Sequence, residues 1–288
     1  PAPAPAPTPT LSHPPAEECT LPELVSVVVP TRNVERTLAR CLTSIKNQTW
    51  RDVELIVVDN HSTDSTASIA QRTADRFELA GPERSAQRNL GFAAARGQWV
   101  MWIDADMILA PGVIENCLDV AQRAHAEAVS IPEISIGPGY WTKCRALERS
   151  CYLDDPGLFN PRLLRAGVLE RVGGFAEEMS GPEDLDLRIA LSRAGITTAM
   201  ATEFIAHDEG HLTLGSIIAK RVYYGRALPK LAEKRPGATT AQGSATVAAL
   251  WRHRTDLARR PLVGPGVIAM RAIEVGAYAY GAYLGGKS

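Results

Sequence analysis

Apolar positions along this chain follow two alternating rhythms. Val25-Ser26-Val27-Val28-Val29 is a short β-branched run closed by Pro30, and Val53-Glu54-Leu55-Ile56-Val57-Val58 is a second. Near-continuous apolar runs of this length predict strands buried on both faces of a parallel sheet. Between them Leu38, Cys41, Leu42 and Ile45 recur at spacings of three and four, the signature of one buried helix face. Ser62 or Thr63 can cap a following helix that carries Ile69, Ala70 and Thr73. A helix from about Ser85 to Ala95 leads into Gly97-Gln98-Trp99-Val100-Met101-Trp102-Ile103, a third strand-like run. Ala128-Val129-Ser130-Ile131 follows a helix that begins near Pro111. Strand and helix in alternation predict an α/β fold, a mostly parallel sheet with right-handed crossovers.

Candidate chemistry collects where these strands end. The third run closes on Asp104-Ala105-Asp106. In extended backbone, side chains at i and i+2 share a face, so both carboxylates can address one centre. Open α/β sheets bind ligands at the carboxyl ends of their strands. A hard divalent cation, completed by substrate phosphates and water, is the usual reason for such a pair. Two solvated aspartates opening a turn are the plain structural alternative. No G-x-G-x-x-G follows the first strand and no G-x-x-x-x-G-K-[ST] occurs, so metal and arginine are expected to handle any phosphate.

Composition narrows the classes. At 288 residues the chain is long enough for one large domain or two small ones with an adequate core. Its 45% hydrophobic and 22% charged residues are ordinary for a globular protein. With 31 basic against 32 acidic residues the net charge is −1, and no global field attracts nucleic acid. Arginine in excess of lysine, with much alanine, points to a high-GC bacterial coding sequence. The five cysteines are scattered without a C-x-x-C, so reduced thiols and a cytoplasmic location are expected. Residues 1–22 form a Pro/Ala-rich tail expected to be extended and disordered, and no basic stretch followed by an apolar run suggests a secretory signal.

At this point the residues carry a resemblance. Val27-Val28-Val29-Pro30-Thr31-Arg32-Asn33, Leu42 to Trp50, and Glu54 to Asp64 resemble the family 2 glycosyltransferases. The likeness continues through Arg88-Asn89, Asp104-Ala105-Asp106, Gly173-Gly174-Phe175 and Glu183-Asp184-Leu185-Asp186-Leu187-Arg188, and spans roughly residues 23–215. Such enzymes have the GT-A fold, use nucleotide-diphosphate sugars, and invert the anomeric centre. The resemblance implies a domain over 23–228, with Pro30, Thr31, Asn33, Asp59 and Asn60 holding the nucleotide at the first two strand ends. The base-reading position is usually Asp; Asn60 can accept the uracil imide hydrogen, but without charge the bond is weaker. UDP is the expected nucleotide, and a helix-capping or turn role is the alternative for Asn60.

By the same resemblance Asp104 would touch the ribose and Asp106 would ligate Mn²⁺ or Mg²⁺, with His207 completing the metal site and His211 in reserve. Arg88 would add positive charge beside the diphosphate, or else be a solvated helix residue. Arg188, Lys220 and Arg221 are further diphosphate candidates. Asp184, opening a helix after Gly181-Pro182, would be the general base, with Glu183 orienting it or contacting the acceptor; the helix dipole favours carboxylates there. An acidic first turn with no catalytic role is the alternative. Gly137 to Lys143 reads as a mobile loop whose Tyr140 and Trp141 stack on an acceptor or join the core, and Gly174 and Phe175 would form a turn beside that acceptor.

Residues 229–288 are expected to hold a loop or linker over 232–243 and an apolar, glycine-rich helix over 261–285. Arg271 and Glu274 near its centre disfavour a membrane span. A helix packed on the domain, dimerising, or lying on the membrane surface is expected instead, with Arg252, Arg254, Arg259 and Arg260 facing anionic lipid or solvent. The implied function is metal-dependent, inverting transfer of a sugar to an acceptor hydroxyl. The alternatives are a sugar-phosphate nucleotidyltransferase, whose triphosphate loop is missing after the first strand, and a catalytically inactive sugar-nucleotide binding module.

Overall fold

The computed structural model describes residues 23–287, so the expectation for the 1–22 tail lies outside the described residues. Each apolar run becomes a strand: β1 (Val25–Thr31), β2 (Val53–Asp59), β3 (Arg76–Leu79), β4 (Trp99–Trp102), β5 (Met107–Leu109), β6 (Ala128–Ser130), β7 (Glu133–Ile136), β8 (Pro161–Arg165), β9 (Thr198–Met200) and β10 (Ile205–Asp208). The helices are α1 (Glu35–Lys46), α2 (Thr66–Thr73), α3 (Arg84–Ala94), α4 (Val113–Ala124), α5 (Tyr140–Ser150), α6 (Val168–Arg171), α7 (Glu183–Arg193), α8 (Leu214–Gly225), α9 (Leu228–Lys234), α10 (Ala238–Arg252), α11 (Arg254–Ala258) and α12 (Val263–Gly285).

Seven strands form one sheet in the order β3-β2-β1-β4-β8-β6-β9, parallel except where β8 runs against β4 and β6. β1 is central, with Val27 opposite Leu55 on one side and Met101 on the other. Both its faces are covered. Val27 and Val29 meet Leu38, Leu42 and Ile45 of α1, while Val28 meets Phe92 of α3 and Leu187 of α7. The chain reverses direction across the sheet between β1 and β4, which makes the carboxyl ends of those strands the ligand-binding crevice. A small second sheet, β5-β10-β7, stands at that edge.

Two expectations change. Neither Ser62 nor Thr63 caps α2, whose N-cap is Ser65. Ser62 Oγ donates instead to Asp59, and the Thr63 amide donates to Asn33 Oδ1. The stretch 232–243 is not a linker but the end of α9 and the start of α10. Leu231 is buried beside Ala176 and Met179, and Lys234 and Arg235 reach Asp186 at 2.9 and 2.7 Å. Tertiary contact makes helix of a segment whose own pattern is weak.

The C-terminal helix α12 packs along α8 and α5. At the α8 crossing Gly225 and Gly281 let backbones touch; a Cβ on Gly281 would stand 2.3 Å from the Val222 carbonyl oxygen. Below this crossing Glu274 is fully buried and accepts from Arg145 of α5, from Arg221 Nε of α8 at 2.7 Å and from Arg271 Nη1 at 2.7 Å. The two charges that disfavour a span are therefore an internal ion network. Among the described residues no helix is long and apolar enough to cross a membrane.

Burial alone would raise the Glu274 carboxyl, but the three arginines outweigh it and hold the group at about 2, against 4.5 when free. Its contribution is complete above pH 4.5 and disappears as pH falls towards 2. Glu274→Ala should cost about 3–5 kcal/mol, because it removes the buried carboxylate shared by three arginines, leaving Arg221 without its partner and Arg145 and Arg271 with Glu148 alone. Urea unfolding near neutral pH checks this, and a loss under about 1 kcal/mol would show that packing alone holds α12.

Candidate active site

Three strand ends and one helix start meet at the crevice. At the end of β1, Thr31 Oγ1 donates to Asp59 Oδ1 at 2.8 Å; the Ser62 hydroxyl and amide also donate to Asp59, at 2.6 and 2.8 Å. From α3, Gln87 donates to the carbonyl oxygens of Thr31 and Val58, tying the β1 and β2 ends together. Asn33 adopts a left-handed backbone (φ 51°) and cradles Ser62 and Thr63. Asn60 is buried, and its Nδ2 donates to the Pro82 carbonyl at 2.6 Å. With that amide engaged, Oδ1 is left as an acceptor. Pro30 is buried inside β1.

Arg88 is the largest departure from expectation. It is fully buried, not beside solvent, and lies beneath the crevice. One terminal nitrogen reaches Asp104 Oδ1 and the other Asp184 Oδ1, each at 2.7 Å. Its guanidinium also lies over Phe175 and Trp102, 5.1 and 5.9 Å from the ring centroids. Both terminal nitrogens hold carboxylates, while Nε is buried without a hydrogen-bond partner. Arg84, one turn earlier, lines the crevice in its place and pairs with Glu183.

Asp184 enters from the first turn of α7 and keeps part of its surface exposed. Its Oδ2 accepts from Asn160 Nδ2 at 3.2 Å. Glu183, by contrast, is fully buried, bound to Arg84 and to the Gly181 amide. It braces the turn that presents Asp184. Burial alone would raise the Asp104 carboxyl; Arg88, Arg162 and Arg84 outweigh it and hold the group far below the usual carboxylate range.

Asp106 and His207 come together through the small sheet. β10 runs antiparallel to β5, and the Asp208 amide donates to the Asp106 carbonyl at 2.8 Å. This leaves His207 Nε2 3.1 Å from Asp106 Oδ2. Burial pulls the imidazole down, but Asp106 and Glu209 overcome it and raise its pKa. Asp106 Oδ1 and His207 Nδ1 are buried without a hydrogen-bond partner. No group of three His, Cys, Asp or Glu side chains converges on a metal position among the described residues. A carboxylate that keeps one orphaned oxygen, beside an imidazole, suits a cation that takes its remaining ligands from phosphate and water.

These groups border a cavity of about 200 Å³, walled by Asp104, Asp184, His207, Arg84, Arg162, Lys220 and Arg221. It opens into a second cavity of about 600 Å³ between α7 and the helices α10 and α12. Glu133 and Glu209 also line the first; burial is outweighed by Arg162 and Arg149 at Glu133 and by His207 and Arg149 at Glu209, leaving both near 2. Arg84, Glu133, Asn160, Arg162 and Tyr224 were not singled out by sequence reasoning, and no local pattern marks them.

The expected acceptor residues lie elsewhere. Residues 140–143 are not a mobile loop but the first turn of α5. Tyr140 donates to the Leu262 carbonyl at 2.8 Å, and Trp141 packs edge-on to it within the core beneath α12. Phe175 is buried against Phe92 and Trp102, and Asn89 brackets its backbone, with Gly174 beside that amide. None of the four lines either cavity. His211 packs against Gly139 and stays out of the metal pair.

A doubly wound sheet whose strand-end carboxylates face a helix-borne carboxylate across a basic crevice is an α/β ligand-binding site at the topological switch point. The profile described as Glycosyl transferase family 2 matches residues 26–176, just over half of the chain, and the protein belongs to that family. Glycosyltransferase GlyG of Streptococcus pneumoniae serotype 4 is 32% identical over 116 residues, covering 37% of this chain and 38% of GlyG. Chondroitin synthase of Escherichia coli is 28% identical over 199 residues, 60% of this chain and 27% of the synthase. The chain thus matches about a third of the length of these curated relatives. Among solved structures, the Pyrobaculum calidifontis mannosyltransferase PcManGT in complex with GDP-Man and Mn²⁺ superposes with a TM-score of 0.58 at 19% identity, over 92% of this chain and 86% of that one. The shared fold is GT-A.

Arg88→Met should cost about 3–5 kcal/mol of stability, since it leaves Asp104 and Asp184 facing each other without their cation. Chemical denaturation measures it; an unchanged midpoint would mean that the two carboxylates tolerate one another.

Proposed function

We propose that this protein is an inverting, divalent-metal-dependent glycosyltransferase that moves a sugar from a nucleotide-diphosphate sugar, UDP-linked, to an acceptor hydroxyl by direct displacement. One observation carries the reading: a part-exposed helix-start carboxylate, Asp184, faces the Asp104 strand end and the adjacent Asp106–His207 pair across one small cavity. A donor lying along β1 and β2 would set its base against Asn60, whose free Oδ1 suits the uracil imide hydrogen. Arg84, Lys220 and Arg221 supply positive charge on the wall that its diphosphate would meet. Mn²⁺ or Mg²⁺ held by Asp106 and His207 would supply Lewis-acid stabilisation of the departing nucleotide.

Asp184 then takes the acceptor proton. Arg88 and Asn160 leave it one fixed orientation, and proton removal by such a base contributes about 10²–10⁴-fold. In a direct displacement the acceptor oxygen bonds to the anomeric carbon as its bond to the diphosphate oxygen breaks, and the proton passes to Asp184.

The same reading includes contact with the inner face of a membrane. Ile268, Tyr280 and Tyr283 of α12, and Leu262 just before it, are exposed, and Arg254, Arg259 and Arg260 precede them in the chain. An apolar face with basic flanks suits an anionic lipid surface. Sedimentation with vesicles should show binding to phosphatidylglycerol-containing membranes and little to phosphatidylcholine alone; a concentration-dependent dimer that binds neither would assign the face to a second copy.

The donor reading is tested by thermal shift with UDP, GDP, dTDP and CMP, with and without Mn²⁺. UDP with Mn²⁺ at a hundredfold its Kd should stabilise the protein by about 2.7 kcal/mol. Asp106→Ala should abolish the metal-dependent part. Asp184→Asn should keep nucleotide binding while transfer falls by about 10²–10⁴-fold. Stabilisation by GDP instead would move the donor to guanine, and normal transfer by Asp184→Asn would remove the base assignment.

A further inference from the structure

The larger cavity has a chemistry of its own. Its wall beside Asp184 is α7, where Arg188 stands one helical turn further along the same face. Arg188 is mostly enclosed, yet its terminal nitrogens meet only neutral oxygens, the Gly157 carbonyl and Gln242 Oε1. Among the described residues it has no carboxylate within ion-pair distance. Every other arginine lining this cavity has one: Arg145 pairs with Glu148 and Glu274, Arg149 with Glu133, and Arg271 with Glu274. Enclosing a cation without a paired carboxylate is costly, and desolvation pulls the Arg188 guanidinium below its ordinary value against the opposing charges of Asp184 and Asp155. The two neutral contacts hold the side chain in place without neutralising it. A missing anion is what this geometry lacks.

The rest of the cavity is apolar where the charges end. Leu185, Leu228, Val275 and Tyr278 face it from α7, α9 and α12. We propose that this cavity is the acceptor site and takes an anionic amphiphile, its hydroxyl at Asp184, its phosphate or carboxylate at Arg188, and its apolar body against α9 and α12. This rests on the transferase reading above, with Asp184 as base. Side chains at i and i+4 have Cβ atoms about 5–6 Å apart, which sets the scale for the separation of hydroxyl and anion in the acceptor. Selectivity follows from the same arrangement, because a neutral acceptor would leave Arg188 half-buried without an ion-pair partner.

The test uses calorimetric titration of the full chain, loaded with UDP and Mn²⁺, by three probes sharing one apolar group: phenyl β-glucoside, phenyl β-glucuronide and phenyl β-glucoside 6-phosphate. At least one anionic probe should bind tenfold or more tighter than the neutral one. Whichever of the two wins assigns the anion as carboxylate or phosphate. Arg188→Gln should reduce the preference below threefold, and Arg188→Lys, which keeps the charge should the Gln variant unfold, should retain more than threefold. Equal binding of all three probes, no binding of either anionic probe at millimolar concentration, or a preference that survives Arg188→Gln overturns the proposal. UDP and Mn²⁺ binding without probe is read separately, so failure of the transferase reading shows there first.

Discussion

A single buried guanidinium holds the two halves of this site in register. Arg88 touches Asp104, from a strand end, and Asp184, from a helix start 80 positions further on, with equal 2.7 Å contacts. Two carboxylates brought this close repel one another, and a cation locked between them turns repulsion into attachment. A planar guanidinium serves both at once through two terminal nitrogens held in fixed directions. Its faces rest on Trp102 and Phe175, so the core that supports the sheet also fixes the fork. The separation of Asp104 from Asp184, the proposed base, therefore follows from a single side chain.

Around that bridge the charges are layered. Glu183 and Glu133 are buried and paired, and they steady Arg84 and Arg162 at the cavity wall. Asp106 and His207, across a short antiparallel pair, keep two polar atoms without partners. Satisfied groups make the scaffold and unsatisfied ones mark where a ligand would add something. Arg188 belongs to the second kind in the larger cavity, where its contacts are neutral.

The C-terminal helices complete what the matched family region leaves open. α10 and α12 contribute Gln242, Arg271, Val275 and Tyr278 to the larger cavity, all beyond residue 176, where the family profile ends. Glu274 reaches Arg145 and Arg221, both of which line the smaller cavity, so α12 is tied to the site by charge as well as by glycine-lined backbone contact. An apolar stretch with two central charges thus works as a packed wall.

What the sequence determined by itself is local. Val25–Val29 and Val53–Val58 can only be buried strands, because runs so apolar and β-branched leave no solvent face, and Leu38 to Ile45 can only present one helix stripe. Asp104 and Asp106 were legible as candidates because paired carboxylates at a strand end are a local fact, and Asp184 was legible only through the family resemblance. Tertiary structure alone decided which groups meet. Nothing near Arg88 in the chain distinguishes a solvated arginine from a buried bridge. The Asp106–His207 pair depends on β10 crossing back to β5, a separation of some hundred residues. Tyr140, Trp141 and Phe175 were expected beside an acceptor, yet Tyr140 bonds the Leu262 carbonyl ahead of α12, Trp141 packs against Tyr140, and Phe175 is buried against Trp102. Periodicity reports which face of an element is buried, but not what buries it, and the chemistry of a site depends on the latter.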